Sequence, residues 1–128
     1  MLKFSVLAVD DEIDFLETIV SRLKKRNLDA VGATSGDGAL YLMEGKSFDV
    51  VLLDIKMPGV MDGIETLRAI KQNYPSVEVI LLTGHASVET SIEVMKLGAF
   101  DYLLKPIKFE ELLIKIVSAF ERKALQDS

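Results

Sequence analysis

Cysteine is absent from this chain of 128 residues, so it can form neither a disulfide nor a thiolate metal site, and nothing in it points to an oxidising compartment. No leader or membrane anchor is expected at the start either. One cation and a few apolar residues precede Asp10 and Asp11, too short a stretch for a signal peptide or a span. These features predict a soluble, cytoplasmic protein with no membrane partner. There is no basic excess either: 15 Lys and Arg stand against 20 Asp and Glu, a formal net charge of -5. Nucleic-acid affinity depends mainly on cations meeting phosphates, so this chain is not expected to hold DNA or RNA directly. The local cluster of Arg22, Lys24, Lys25 and Arg26 reads as the end of a helix, where positive charge favours the helix dipole. Internal repeats and low-complexity segments are lacking. The length fits one domain, residues 1–128 with a core from about 4 to 121.

What the sequence does contain is an alternation of short apolar runs with longer amphipathic stretches, the pattern of strand-helix-strand units. Five pairs are predicted. Phe4 to Val9 is strand one, and Ile13, Leu16, Val20 and Leu23 mark the inner face of helix one. Ala30 to Ala33 is strand two, with a weaker helix from about Gly36 to Glu44. Phe48 to Leu53 is apolar apart from Asp49, as expected of a central strand buried on both faces, and it ends at Asp54. Ile64, Leu67 and Ile70 give helix three, with Pro75 as a stop signal. Val77 to Leu82 is strand four; helix four runs from about Ser87 to Leu97 and ends at Gly98. Phe100 to Leu104 is strand five. Phe109, Leu112, Leu113, Ile116, Val117 and Phe120 then repeat at helical spacing. Such units with right-handed crossovers predict an α/β fold, a doubly wound five-stranded parallel sheet of order 2-1-3-4-5, flavodoxin-like. Its switch point lies between strands one and three, so the residues after Val9 and Leu53 share a crevice.

Those residues are Asp10, Asp11 and Asp54. Each alone is an ordinary strand-end acid or helix cap, and Glu12 and Asp14 add favourable charge to a first helical turn. Together they are harder to explain that way, because two like charges about 4 Å apart repel by roughly 4 kcal/mol at an effective dielectric of 20. Converging carboxylates therefore take up protons or hold a cation, and hard oxygen ligands of this kind suit magnesium. A carboxylate can also attack phosphorus, and Asp54 emerges from the most central strand. Phosphoryl transfer needs charge neutralisation and positioning, for which Thr83 after strand four and Lys105 after strand five are placed. Singly these are a turn residue and a surface lysine.

The constellation resembles the receiver domain of two-component response regulators, over about Phe4 to Glu121. The resemblance rests on Val9-Asp10-Asp11-Glu12, Leu53-Asp54 with Met57-Pro58 and Asp62-Gly63, Thr83-Gly84, and Gly98-Ala99-Phe100-Asp101-Tyr102 leading to Lys105-Pro106. It implies that Asp54 accepts a phosphoryl group from a sensor histidine kinase. It also implies magnesium bound by Asp11 directly, by Asp10 mainly through water, by Asp54 and by the Lys56 backbone carbonyl. Thr83 would hydrogen-bond the phosphoryl group, Lys105 would pair with it, Tyr102 would be the switching aromatic, and the Lys105-Pro106 bond would be cis. One departure is visible. Gly63 lies nine positions after Asp54, one more than the family usually has, as though a residue were inserted among Gly59, Val60 and Met61.

The resemblance further implies a two-state switch controlling an output domain or partner, with at most self-phosphorylation and self-dephosphorylation and no other enzyme activity. The face of helix four, strand five and helix five is the expected homodimer or partner surface, with Ile114 a candidate contact. The Gly98 to Pro106 segment looks like receivers joined to DNA-binding outputs, which points to a transcription regulator; a stand-alone receiver or phosphorelay protein is the alternative. In another class stands a magnesium-dependent phosphatase or phosphotransferase. Enzymes built on a phosphoaspartate usually place a second acid two residues beyond the nucleophile, where this chain has Lys56. A flavodoxin-like cofactor binder is disfavoured because no phosphate-cradling glycine loop follows strand one. His85, the only histidine, lacks a base-orienting partner in the sequence and is expected to line the crevice mouth with Lys56.

Overall fold

The computed structural model describes residues 3–56, 62–85 and 87–127. Strands and helices alternate: β1 (Ser5–Val9), α1 (Ile13–Lys25), β2 (Asp29–Ala33), α2 (Gly36–Gly45), β3 (Val50–Asp54), α3 (Gly63–Asn73), β4 (Glu78–Thr83), α4 (Val88–Lys96), β5 (Asp101–Leu104) and α5 (Phe109–Asp127). All five strands are parallel and lie in the order β2-β1-β3-β4-β5, as the alternation predicts. Val9 pairs with Leu53 across β1 and β3, so the chain leaves both strands at the same level of the sheet.

Side chains on a strand alternate between its faces, and the sheet divides two cores accordingly. Val6 and Ala8, Val50 and Leu52, and Ile80 and Leu82 face α1 and α5, meeting Leu16, Ile19, Leu23, Leu112 and Ile116. Leu7 and Val9, Val51 and Leu53, and Val79 and Leu81 face the other way, onto Ala39, Met43, Leu67, Ile70 and Val94. Burial on both faces is why β3 and β4 read as unbroken apolar runs.

Several details differ from the periodicity. The buried stripe of α1 is Leu16, Ile19 and Leu23, whereas Ile13 is 58% exposed, and in that first turn Phe15 rather than Ile13 packs on the core. In α5 the buried stripe passes through Phe109, Leu112, Ile116 and Ala119, which turns Val117 outward. β3 starts at Val50 rather than Phe48, and β4 continues through Thr83. Glu78, at the start of β4, is completely buried. Its carboxylate accepts from both Nε and Nη2 of Arg122, the latter at 2.8 Å, with Lys71 Nζ 3.8 Å away; the guanidinium also lies over the Phe100 ring at 4.7 Å. This network fastens the far end of α5 to the end of the sheet opposite the acidic crevice.

Gly98 ends α4 with φ of 101°, a backbone conformation that favours glycine, as the sequence predicts for that position. The Lys105-Pro106 bond is cis. Among the described residues no helix is long and apolar enough to cross a membrane.

Candidate functional site

Three carboxylates converge where the switch point predicts. Asp10 follows β1, Asp11 is next to it, and Asp54 is the last residue of β3; one oxygen from each lies within 4.8 Å of the others. Asp10 and Asp54 are buried and Asp11 is exposed, so the trio meets solvent mainly at Asp11. Backbone donors fix the two buried acids. Asp10 Oδ1 accepts from the Glu12 N–H at 2.9 Å, and Asp54 Oδ1 accepts from the Lys56 N–H at 3.3 Å.

Electrostatics single out Asp54. Its carboxyl is pushed up to about 6, first by burial and then by the neighbouring Asp10 charge; Lys105 and the Lys56 N–H oppose this, and Asp11 adds to it. Lys105 reaches into the crevice and donates to Asp10 Oδ2 at 2.7 Å and to Glu12 Oε1 at 3.4 Å. Burial pulls the lysine down, but the hydrogen bond and charge of Asp10, aided by Asp54 and Glu12, carry it above the usual lysine range. A set of three hard oxygen donors with one cation beside it is the kind of site that accommodates a small divalent metal ion. Asp10, Asp11 and Asp54 are the side chains able to hold one.

The α3 helix is pressed against the same backbone. The Gly63 N–H donates to the Ile55 carbonyl at 3.0 Å, and a Cβ at Gly63 would lie 2.4 Å from the Asp54 carbonyl oxygen and 2.5 Å from Ile55 Cα. Only glycine fits this approach. Asp62 caps the helix, accepting from the Glu65 N–H at 2.9 Å. The expected insertion among Gly59, Val60 and Met61, and the Met57-Pro58 pair, lie outside the described residues, yet Gly63 seats beside Asp54 despite the longer spacing.

Thr83 closes β4 with its side chain buried. Its hydroxyl donates to the His85 carbonyl and accepts from the His85 N–H, both at 3.1 Å. Half-buried Tyr102 reaches the same peptide: its hydroxyl donates to the His85 carbonyl and accepts from the Ser87 N–H, both at 3.4 Å. Thr83 and Tyr102 therefore share one acceptor. His85 enters this arrangement through its backbone, while its side chain is exposed, as is that of Lys56. Sequence reasoning placed Asp10, Asp11, Asp54, Thr83 and Lys105 at neighbouring strand ends. It missed Phe15, whose ring centroid lies 4.3 Å from Lys105 Nζ, and it read Glu12 only as a helix-end charge.

Comparison with known proteins points the same way. Residues 6–117 match the family described as Response regulator receiver domain. The chain is 39% identical over 123 residues to the transcriptional regulatory protein ZraR of Klebsiella oxytoca, covering 96% of this chain and 28% of that protein. It is 37% identical over 122 residues to a putative response regulator NtrX-like of Rickettsia bellii, covering 94% of this chain and 26% of the relative. The chain thus spans about a quarter of the length of these relatives. Among solved structures, a response regulator receiver domain protein from Clostridium thermocellum superposes with a TM-score of 0.89 at 38% identity, over 96% of this chain and 98% of that one. A CheY-like receiver domain protein from Methanospirillum hungatei gives 0.92 at 29% identity, over 98% and 99%. With residues, strand order and relatives in agreement, the chain belongs to the response regulator receiver domains.

Proposed function

We propose that Asp54 is the phosphoacceptor of this receiver domain, taking its phosphoryl group from a sensor histidine kinase in a magnesium-dependent reaction. The observation that supports this most is the meeting of Asp10, Asp11 and Asp54 within 4.8 Å beside the Lys105 ammonium. In the reaction an Asp54 carboxylate oxygen attacks phosphorus, the P–O bond forms as the P–N bond of the donor phosphohistidine breaks, and the imidazole leaves. The carboxyl at about 6 is mostly ionised at neutral pH and so available as the nucleophile. A magnesium ion on Asp10, Asp11, Asp54 and the Lys56 carbonyl would neutralise charge on the carboxylates and the phosphoryl oxygens. Lys105 supplies a mobile cation, held on Asp10 until a phosphoryl oxygen competes for it.

The switch follows from hydrogen-bond counting. A threonine hydroxyl has one proton to donate, and in this structure it is spent on the His85 carbonyl. Donating it to a phosphoryl oxygen on Asp54 releases that carbonyl, which Tyr102 also holds. Phosphorylation is thereby passed from Thr83 to Tyr102 through a single peptide. Moving such an equilibrium from 1:99 to 99:1 takes about 5.5 kcal/mol of differential stabilisation, within reach of two or three charge-assisted bonds at about 1.5 to 3 kcal/mol each.

The output surface in this reading is the α4-β5-α5 face, where Ile92, Met95, Leu104 and Ile114 are exposed, suited to a homodimer or a partner. Transcriptional output is favoured by the ZraR relatives, which are transcriptional regulatory proteins, and a cytoplasmic location goes with it. Enzyme activity beyond self-phosphorylation and self-dephosphorylation is not part of the reading, since exposed Lys56 stands where phosphoaspartate enzymes carry a general acid and base. Incubation with magnesium and acetyl phosphate tests the assignment by intact mass. A single phosphoryl gain that disappears in Asp54→Asn is expected; a gain that persists in that variant, or rapid multiple turnover, overturns it.

A further inference from the structure

We propose that Phe15 is a positioning residue for the phosphoryl-transfer site, presenting its ring face to the Lys105 ammonium so that the lysine stays in the crevice while it exchanges hydrogen-bond partners. The inference rests on the proposed phosphoacceptor role of Asp54. Lys105 Nζ stands 4.3 Å from the Phe15 ring centroid, 2.7 Å from Asp10 Oδ2 and 3.4 Å from Glu12 Oε1. Its side chain is only 14% exposed, so the ring and the two acids leave it little contact with water.

The three contacts differ in what they require of the lysine. Each carboxylate consumes a directed N–H, and to reach a phosphoryl oxygen the ammonium must give up the one on Asp10. Glu12 is a weak substitute anchor, because its side chain is 67% exposed and its charge is screened. A ring face attracts the cation as a whole and competes for no particular N–H. The contact with Phe15 can therefore persist while hydrogen bonds move from Asp10 to the phosphoryl group. Phe15 is itself fixed, being half-buried and packed on the core beneath α1, so a rigid element guides an otherwise flexible four-carbon stem.

The test is the rate of phosphorylation of the full chain by acetyl phosphate with magnesium, read by intact mass, in four variants. Phe15→Leu keeps apolar bulk and removes the ring face; it is expected to slow phosphorylation about threefold to tenfold, with the melting temperature close to wild type. Phe15→Tyr keeps the ring and is expected to restore the rate. In a Lys105→Met background, Phe15→Leu is expected to add no further loss, a coupling that a purely structural role would not produce. An unchanged rate in Phe15→Leu, an equal loss with and without Lys105, or a failure of Phe15→Tyr to restore the rate overturns the inference while leaving Asp54 as phosphoacceptor. Absence of any phosphorylation in the wild type overturns the reading on which it rests, and the inference with it.

Discussion

Asp54 is held where its own charge is disfavoured, by burial and by Asp10, and its proposed role as phosphoacceptor depends on cations neutralising the trio. That arrangement has a cost to the metal-free fold. A carboxyl at about 6 in the native state and 3.8 unfolded keeps a proton between those values that the unfolded chain has lost. The contribution is fully favourable below pH 3.8 and is lost as pH rises through 6, so this group makes the protein less stable at neutral pH. Asp54→Asn, which has no charge to bury, is expected to stabilise the metal-free protein at pH 7 by about 3 kcal/mol. The gain should shrink towards pH 4. Urea denaturation in a chelator across that range measures both, and an unstabilised variant at pH 7 contradicts the account.

At the scale of elements, the docking of α3 on β3 depends on one missing side chain. Gly63→Ala would drive a Cβ to 2.4 Å from the Asp54 carbonyl oxygen, backbone that has little room to retreat. It is expected to cost more than about 2 kcal/mol in urea denaturation and to slow phosphorylation of the adjacent Asp54. A second fastening lies at the far end of the sheet. Arg122→Met leaves the Glu78 carboxylate buried without its main partner, an expected loss of about 3 kcal/mol in the same measurement. Adding Glu78→Met should recover part of that loss, because the pair is then replaced rather than broken. These two fastenings differ in how visible they were. Gly63 stood out through its motif, although its steric reason needed the fold. Glu78 and Arg122 lie 44 residues apart, and nothing local links a strand glutamate to a helix arginine. Likewise Ile13 and Phe15 in α1, or Val117 and Ala119 in α5, fit a helical stripe closely enough that only the sheet beneath decides which is buried. The central strands were legible because burial on both faces leaves apolar runs, and the acidic trio was legible because Asp10 and Asp54 directly follow such runs, with Asp11 next to Asp10.

Across the whole molecule, the carboxyl ends of the strands gather the site, while the opposite end of the sheet carries the Glu78–Arg122 pair. The strand ends at β1 and β3 gather the acids, and the ends of β4 and β5 carry Thr83 and Lys105, so the phosphoryl group proposed for Asp54 would meet groups from four strands at once. In the proposed switch the route from Thr83 is short: the His85 carbonyl accepts from the Thr83 hydroxyl and from the Tyr102 hydroxyl, and Tyr102 belongs to the α4-β5-α5 face. Shared use of that backbone carbonyl could not be read from the sequence, since it depends on how the loop after β4 folds back. The most direct test is the amide spectrum recorded by NMR with magnesium, before and after acetyl phosphate, in wild type and Asp54→Asn. The account predicts that phosphorylation shifts the amides beside Asp54 together with those of His85, Ser87 and Tyr102, and that Asp54→Asn shows neither change. Shifts confined to the acidic crevice, or the full set appearing in Asp54→Asn, would contradict it.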